Sequence, residues 1–142
     1  MTSLVRFEVP GEPQGKGRAR VGRVNGHARM FTPAKTVAYE GLIALAAQKA
    51  MDGKPPTERA CWVQIDAYTA PPASWSKKRR AAALAGDVYP TTKPDIDNIA
   101  KAVGDGANGV VWRDDKQIVD LRVRRRYAET PCLAVDVTVL AE

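Results

Sequence analysis

The sequence predicts an α/β fold (α+β in segregated terms): a mixed sheet of five to six strands packed by two longer helices and one short helix. Three observations predict it. Four stretches alternate apolar and polar residues, the period of a half-buried strand. Three others carry helical spacing or a helix start signal followed by a glycine stop. The length of 142 residues with 44% hydrophobic and 27% charged residues suits one globular domain spanning 1–142 with a core of its own.

Taken in order, Ser3 to Val9 alternates as a strand with one buried face. Pro10 to Gly22 reads as irregular, rich in Gly and Pro, with Lys16, Arg18, Arg20 and Arg23 and no acid after Glu12. It is expected to be a flexible basic arm whose glycines let the backbone approach phosphate. Val21 to Phe31 should pair about Asn25-Gly26, a strong hairpin signal that leaves His27 exposed beside the turn. Thr32-Pro33 reads as N-cap and N1 of a helix to about Met51, with Val37, Leu42, Ile43, Ala46 and Ala47 facing the core and Gly53 ending it. Cys61 to Thr69 is the next strand. Ser74 is expected to cap a short helix through Leu84, stopped at Gly86, whose Lys77-Lys78-Arg79-Arg80 cluster reads as a solvated face or a rest for DNA. In Gln117 to Tyr127, Val119, Leu121 and Val123 point one way and Arg122, Arg124 and Arg126 the other. Leu133 to Leu140 offers Leu133, Val135, Val137 and Val139 to the core. These last two strands are expected to form an antiparallel pair.

Composition narrows the function. The formal net charge is +6, and basic chains of this kind favour nucleic acid as partner. No apolar run approaches the ~20 residues of a membrane span, and the N-terminus lacks a secretory pattern. Two cysteines, Cys61 and Cys132, are too few for a disulfide framework and lack metal-ligand spacing, so both read as buried free thiols and the compartment as cytoplasmic.

Against this basic background, Lys93 to Asp120 gathers Asp95, Asp97, Asp105, Asp114, Asp115 and Asp120 around Lys101. Lys93-Pro94 should end an extended segment. Asp95 and Asp97 are two apart, so extended backbone turns both side chains the same way. Asp97 is expected to cap a helix with Ile96, Ile99 and Val103 as its apolar stripe and Lys101 one turn on. That helix should fail near Gly104 or Gly106, each a cost of about 1 kcal/mol against alanine. Asn108-Gly109 reads as a turn, and Val110 to Trp112 returns to the core. Carboxylates gathered so closely repel, and a hard divalent cation relieves the repulsion. One or two Mg²⁺ ions there would activate water for phosphodiester hydrolysis, while Lys101 stabilises charge on the phosphate. A plain capping and solvated-loop role for these acids is the competing reading.

The run from Asp95, Asp97, Asn98 and Lys101 to Trp112, Asp114, Asp115, Gln117 and Asp120 resembles the RusA family of Holliday-junction resolvases. The early Pro13, Lys16, Gly17, Arg18, Arg20 stretch is similar to the phage branch of that family. The resemblance implies a homodimeric endonuclease, dependent on Mg²⁺ with Mn²⁺ as a substitute, that nicks four-way DNA symmetrically. It assigns metal-binding catalytic carboxylates to Asp95, Asp97 and Asp115 and a catalytic lysine to Lys101, with Asn98 and Asp114 supporting them. DNA contacts are expected at Lys16, Arg18, Arg20, Lys93, Arg122, Arg124 and Arg126. No membrane and no small-molecule cofactor are expected. An architectural binder of branched DNA and a less selective branched-DNA or flap nuclease are the alternatives.

Overall fold

The structure, a computed structural model, describes residues 1–17 and 19–141; the expected contact at Arg18 and the side chain of Arg20 lie outside what is described. The elements are β1 (Thr2–Pro10), β2 (Arg20–Val24), β3 (His27–Phe31), α1 (Ala34–Met51), β4 (Cys61–Thr69), α2 (Lys77–Leu84), α3 (Ile96–Gly106), β5 (Ile118–Tyr127) and β6 (Cys132–Val139), with a 3-10 turn at Asp115–Gln117 ahead of β5. The fold is the expected mixed α/β type. Its six strands divide into a four-stranded sheet ordered β1-β6-β4-β5 and the separate hairpin β2-β3. The hairpin turns at Asn25 and Gly26, both with positive φ (53° and 79°), the geometry of a type I′ turn.

The expected pairing of the last two strands is overturned. β6 pairs antiparallel with β1 and β4, and β5 pairs parallel with β4. Apolar content explains the order: Leu133, Val135 and Val137 of β6 and Val63, Ile65 and Ala67 of β4 are buried, so these strands take the centre. The arginine-rich β5 goes to the edge, and the chain passes the end of β4 with the Ala128 N–H donating to the Thr69 carbonyl (3.0 Å). The long α2–α3 segment is the crossover that parallel pairing requires. One residue, Val119, bulges out of the β4–β5 register.

Three helix starts differ from expectation. Pro33, extended at φ −55° and ψ 141°, stands at the N-cap of α1 in place of Thr32. Its buried stripe is Thr36, Tyr39, Ile43, Ala47 and Met51, whereas Val37 and Leu42 are exposed. This helix is apolar on several sides, so periodicity alone does not set its phase. α2 is capped by Ser76, whose hydroxyl accepts the Arg79 N–H (3.2 Å); a turn from Pro72 to Trp75 keeps Ser74 outside. α3 begins two residues early, with Asp95 rather than Asp97 at the N-cap and Asp97 in the first turn. The peptide bond before it, Lys93–Pro94, is cis. Ile99, Ala102 and Val103 bury its inner face, while Ile96 is left exposed.

Candidate active site

Asp97, Lys101 and Gly104 follow one another along α3 at the spacing of one helix face. Together with Asp115 they line a cleft of about 600 Å³ whose other wall is β5 from Ile118 to Val123. Asp115 comes from the 3-10 turn, and its neighbours explain why the turn forms. The Asp114 carboxylate accepts the Lys116 N–H (2.9 Å), and Gln117 Oε1 accepts the Asp114 N–H (2.9 Å). Gln117 Nε2 then donates to the carbonyls of Thr57 (2.9 Å) and Arg59 (3.0 Å), tying the turn to the chain entering β4. Asp114 is thus a cap, and the Lys116 N–H holds its carboxyl below the usual carboxylate range.

The two glycines that break helix propensity have structural causes. A Cβ on Gly104 would stand 3.2 Å from Asp115 Oδ2, and the Gly104 carbonyl accepts the buried Trp112 indole N–H (3.2 Å). A Cβ on Gly106 would stand 2.9 Å from Ile43, so this glycine lets α3 lie against α1. The first opens room for a carboxylate; the second sets the helix that carries its partners.

Lys101 sits in a chain of alternating charge. Its Nζ is 3.5 Å from Asp105 and 4.0 Å from Asp115; Asp105 is 3.2 Å from Lys16, which is 3.0 Å from Glu40. Asp105 was counted in the acidic cluster around Lys101 but given no role, and Glu40 was not expected at the site. Burial opposes the charge on Lys16, but hydrogen bonds to Glu40 and Asp105 outweigh it and raise its pKa above the ordinary value. Lys16, expected on phosphate, is therefore already paired with two carboxylates. Its segment is packed rather than loose: the Lys16 N–H donates to the Asn98 carbonyl (2.9 Å) and the Gly17 N–H to the Thr36 hydroxyl (2.9 Å). A Cβ on Gly15 would meet Asn98 at 2.8 Å, so the close approach that needs glycine is to α3.

The other expected DNA contacts scatter. Lys93 lines a separate cleft of about 610 Å³ with Lys35, Gln14 and Thr69. Arg124 Nε is 2.8 Å from Asp66, a residue only 8% exposed that also accepts from Gln64. Burial works against the Asp66 charge, but Arg124 and Gln64 overcome it and depress its pKa. Arg126 donates to the exposed Tyr89 hydroxyl (3.3 Å). Arg122 lines a shallow groove with Trp62, Asp120 and Asp136. In the basic helix, Arg79 stacks over Trp75 (3.8 Å), which meets Tyr127 edge-on.

The Asp95 and Asp97 carboxylates are exposed and make no hydrogen bond or ion pair among the described residues. Among those residues no three His, Cys, Asp or Glu side chains converge at metal-holding distance, and Asp95 lies outside the cleft lining. The fit for a metal is therefore to a pair, Asp97 and Asp115. That suits Mg²⁺, which usually takes one or two carboxylates and fills the rest with water and phosphate oxygens.

Two carboxylates and a lysine thus line one open cleft of a basic α/β protein. Residues 10–138 match the family described as Endodeoxyribonuclease RusA, and the chain belongs to that family. It is also 38% identical over 135 residues to "Uncharacterized protein YqaN" of Bacillus subtilis (strain 168), covering 92% of this chain and 93% of that protein. No helix among the described residues is long and apolar enough to cross a membrane.

Proposed function

We propose that this chain is a Mg²⁺-dependent endodeoxyribonuclease that resolves four-way DNA junctions by paired symmetric nicks, acting in the cytoplasm as a homodimer of single RusA-like domains. The observation that carries the reading is the convergence of Asp97, Lys101 and Asp115 on one cleft in a chain of this family. Asp97 and Asp115 would hold the cation, with Asp95 one residue outside α3 reaching it from the rim. When bound, Mg²⁺ lowers the pKa of a water and stabilises the leaving oxygen. Lys101, set between Asp105 and Asp115, presents an ammonium to the phosphate oxygens as negative charge builds there. The Gln117 clamp fixes Asp115, and Gly104 leaves space beside it.

The test is a synthetic four-way junction, labelled on each strand in turn, with and without Mg²⁺, beside linear duplex and flap DNA. Paired nicks on the junction alone, and only with metal, are expected. Tight binding without nicks would replace the reading with an architectural role, and cutting of every branched substrate would remove the junction specificity.

A further inference from the structure

We infer that the cleft lined by Lys35 and Lys93 is a nucleobase pocket, which takes one base out of the DNA strand that crosses Asp95 and so separates branched DNA from continuous duplex. This rests on the nuclease reading and names the part of the substrate that is read.

The lining combines apolar walls with a few polar groups. Pro13, Pro33 and Pro94 supply the walls of a cavity of about 610 Å³, a size within the range of small-molecule sites. The cavity is pre-formed. A Cβ on Gly15 would stand 2.9 Å from Pro94, and the Gly17 N–H donates to the buried Thr36 hydroxyl (2.9 Å), so this wall is seated between Pro94 and α1.

Charge decides which part of a nucleotide enters. Glu12 is the lone acid between Pro10 and Gly22. Its Oε1 accepts the Ala70 N–H (3.0 Å), which leaves Oε2 to accept from a ligand. A carboxylate repels phosphate but accepts from the amino group of a base. The Gln14 amide and the Thr69 hydroxyl line the same space and can both donate and accept. The phosphates belong instead beside Lys35 and Lys93, which are exposed. Lys35 stands in the first turn of α1, which holds no acid and has no side-chain cap, so the helix N-terminus adds to the attraction.

Position ties this pocket to the nuclease residues. Pro94 is in its wall and Asp95 is the next residue in the chain. A strand with a phosphate at Asp95 therefore carries its neighbouring base to the mouth of the cavity. Removing a base from the stack costs least where pairing and stacking are already disturbed. At a branch point the stack is interrupted, so the pocket fills there more readily than on linear DNA.

The test uses the native chain without metal, so it needs no cleavage and its outcome is separate from that of the nuclease reading. A four-way junction carries 2-aminopurine, whose fluorescence rises when it leaves the stack, at each branch-point position in turn. Binding should raise the signal at one position in each symmetric pair, and nowhere in linear duplex. Gln14→Phe, which fills the cavity from its wall, should abolish the rise with circular dichroism unchanged, and should cut the ratio of junction to duplex affinity about tenfold. With natural bases, thymine at the captured position should weaken junction binding about tenfold, because it lacks an amino group. Glu12→Gln, at an exposed position, should remove that difference. No rise at any position would overturn the inference. So would a rise that survives Gln14→Phe, one lost instead on Met30→Ala in the exposed β2–β3 hairpin, or thymine bound as tightly as the other bases.

Discussion

The cleft at α3 and the basic segments both collect charge, and they treat it in opposite ways. At the cleft, Asp95 and Asp97 are solvent-facing and unpaired among the described residues. In the basic segments, Lys16 is held by Glu40 and Asp105, Arg124 by Asp66, and Arg79 by the Trp75 ring. A positively charged residue in the sequence is therefore no guide to a cation available for phosphate. Among the described residues, the unpaired charge in the α3 cleft is acidic, the sign that attracts a cation.

The comparison breaks most sharply if the free acids prove dispensable. Asp97→Asn is expected to keep junction binding and lose about 10²–10³-fold in single-turnover cleavage, an effect of the size seen when one charge-stabilising group is removed. Lys101→Ala should lower kcat by about 10²-fold with little change in affinity; equal cleavage at saturating protein would deny it a role in the transition state. If Lys16 is a structural cation, Lys16→Met should destabilise by about 1–3 kcal/mol, through Glu40 left unpaired and Asp105 left with Lys101 alone, and leave the salt slope of DNA binding intact. A slope that flattens by one phosphate contact would return Lys16 to the DNA surface.

The paired glycines give a smaller, two-way test. Gly106→Ala should cost about 1–3 kcal/mol by forcing α3 off Ile43. Gly104→Ala should stay within about 1 kcal/mol of the native stability, since helix propensity offsets crowding, yet slow cleavage by displacing Asp115. Smallest is the Asp66 effect. Its pKa is depressed in the folded state, so its stabilising contribution is present above the ordinary value of 3.8 and is lost as pH falls through the lower folded value. Asp66→Asn should therefore melt a few degrees below the native chain at neutral pH, and that gap should close in acid.

Much of the fold was legible. β4 was read to the residue and β6 nearly so, because alternation is unambiguous where one face is buried. Sheet order was not legible: the four residues between β5 and β6 suggested a hairpin, and the pairing of β6 with β1 on one edge and β4 on the other overrides it. The phase of α1 was lost because Val37, Leu42 and Leu45 form a second apolar stripe on its outer side. Asp97, Lys101 and Asp115, singled out from spacing and family pattern together, line one cleft. The partners of Lys16 were not legible, since Glu40 lies 24 residues away on another helix and reaches it only through tertiary packing.

The position of β6 also bears on when the protein becomes competent. The strand that comes last in sequence lies second in the sheet, between β1 and β4. β1 and β4 are joined in the sheet only through β6, and the pairing of Thr2 with Val139 closes a loop between residues far apart in sequence. The cleft residues are translated before β6, so the sheet against which α3 packs can close only after they have been made.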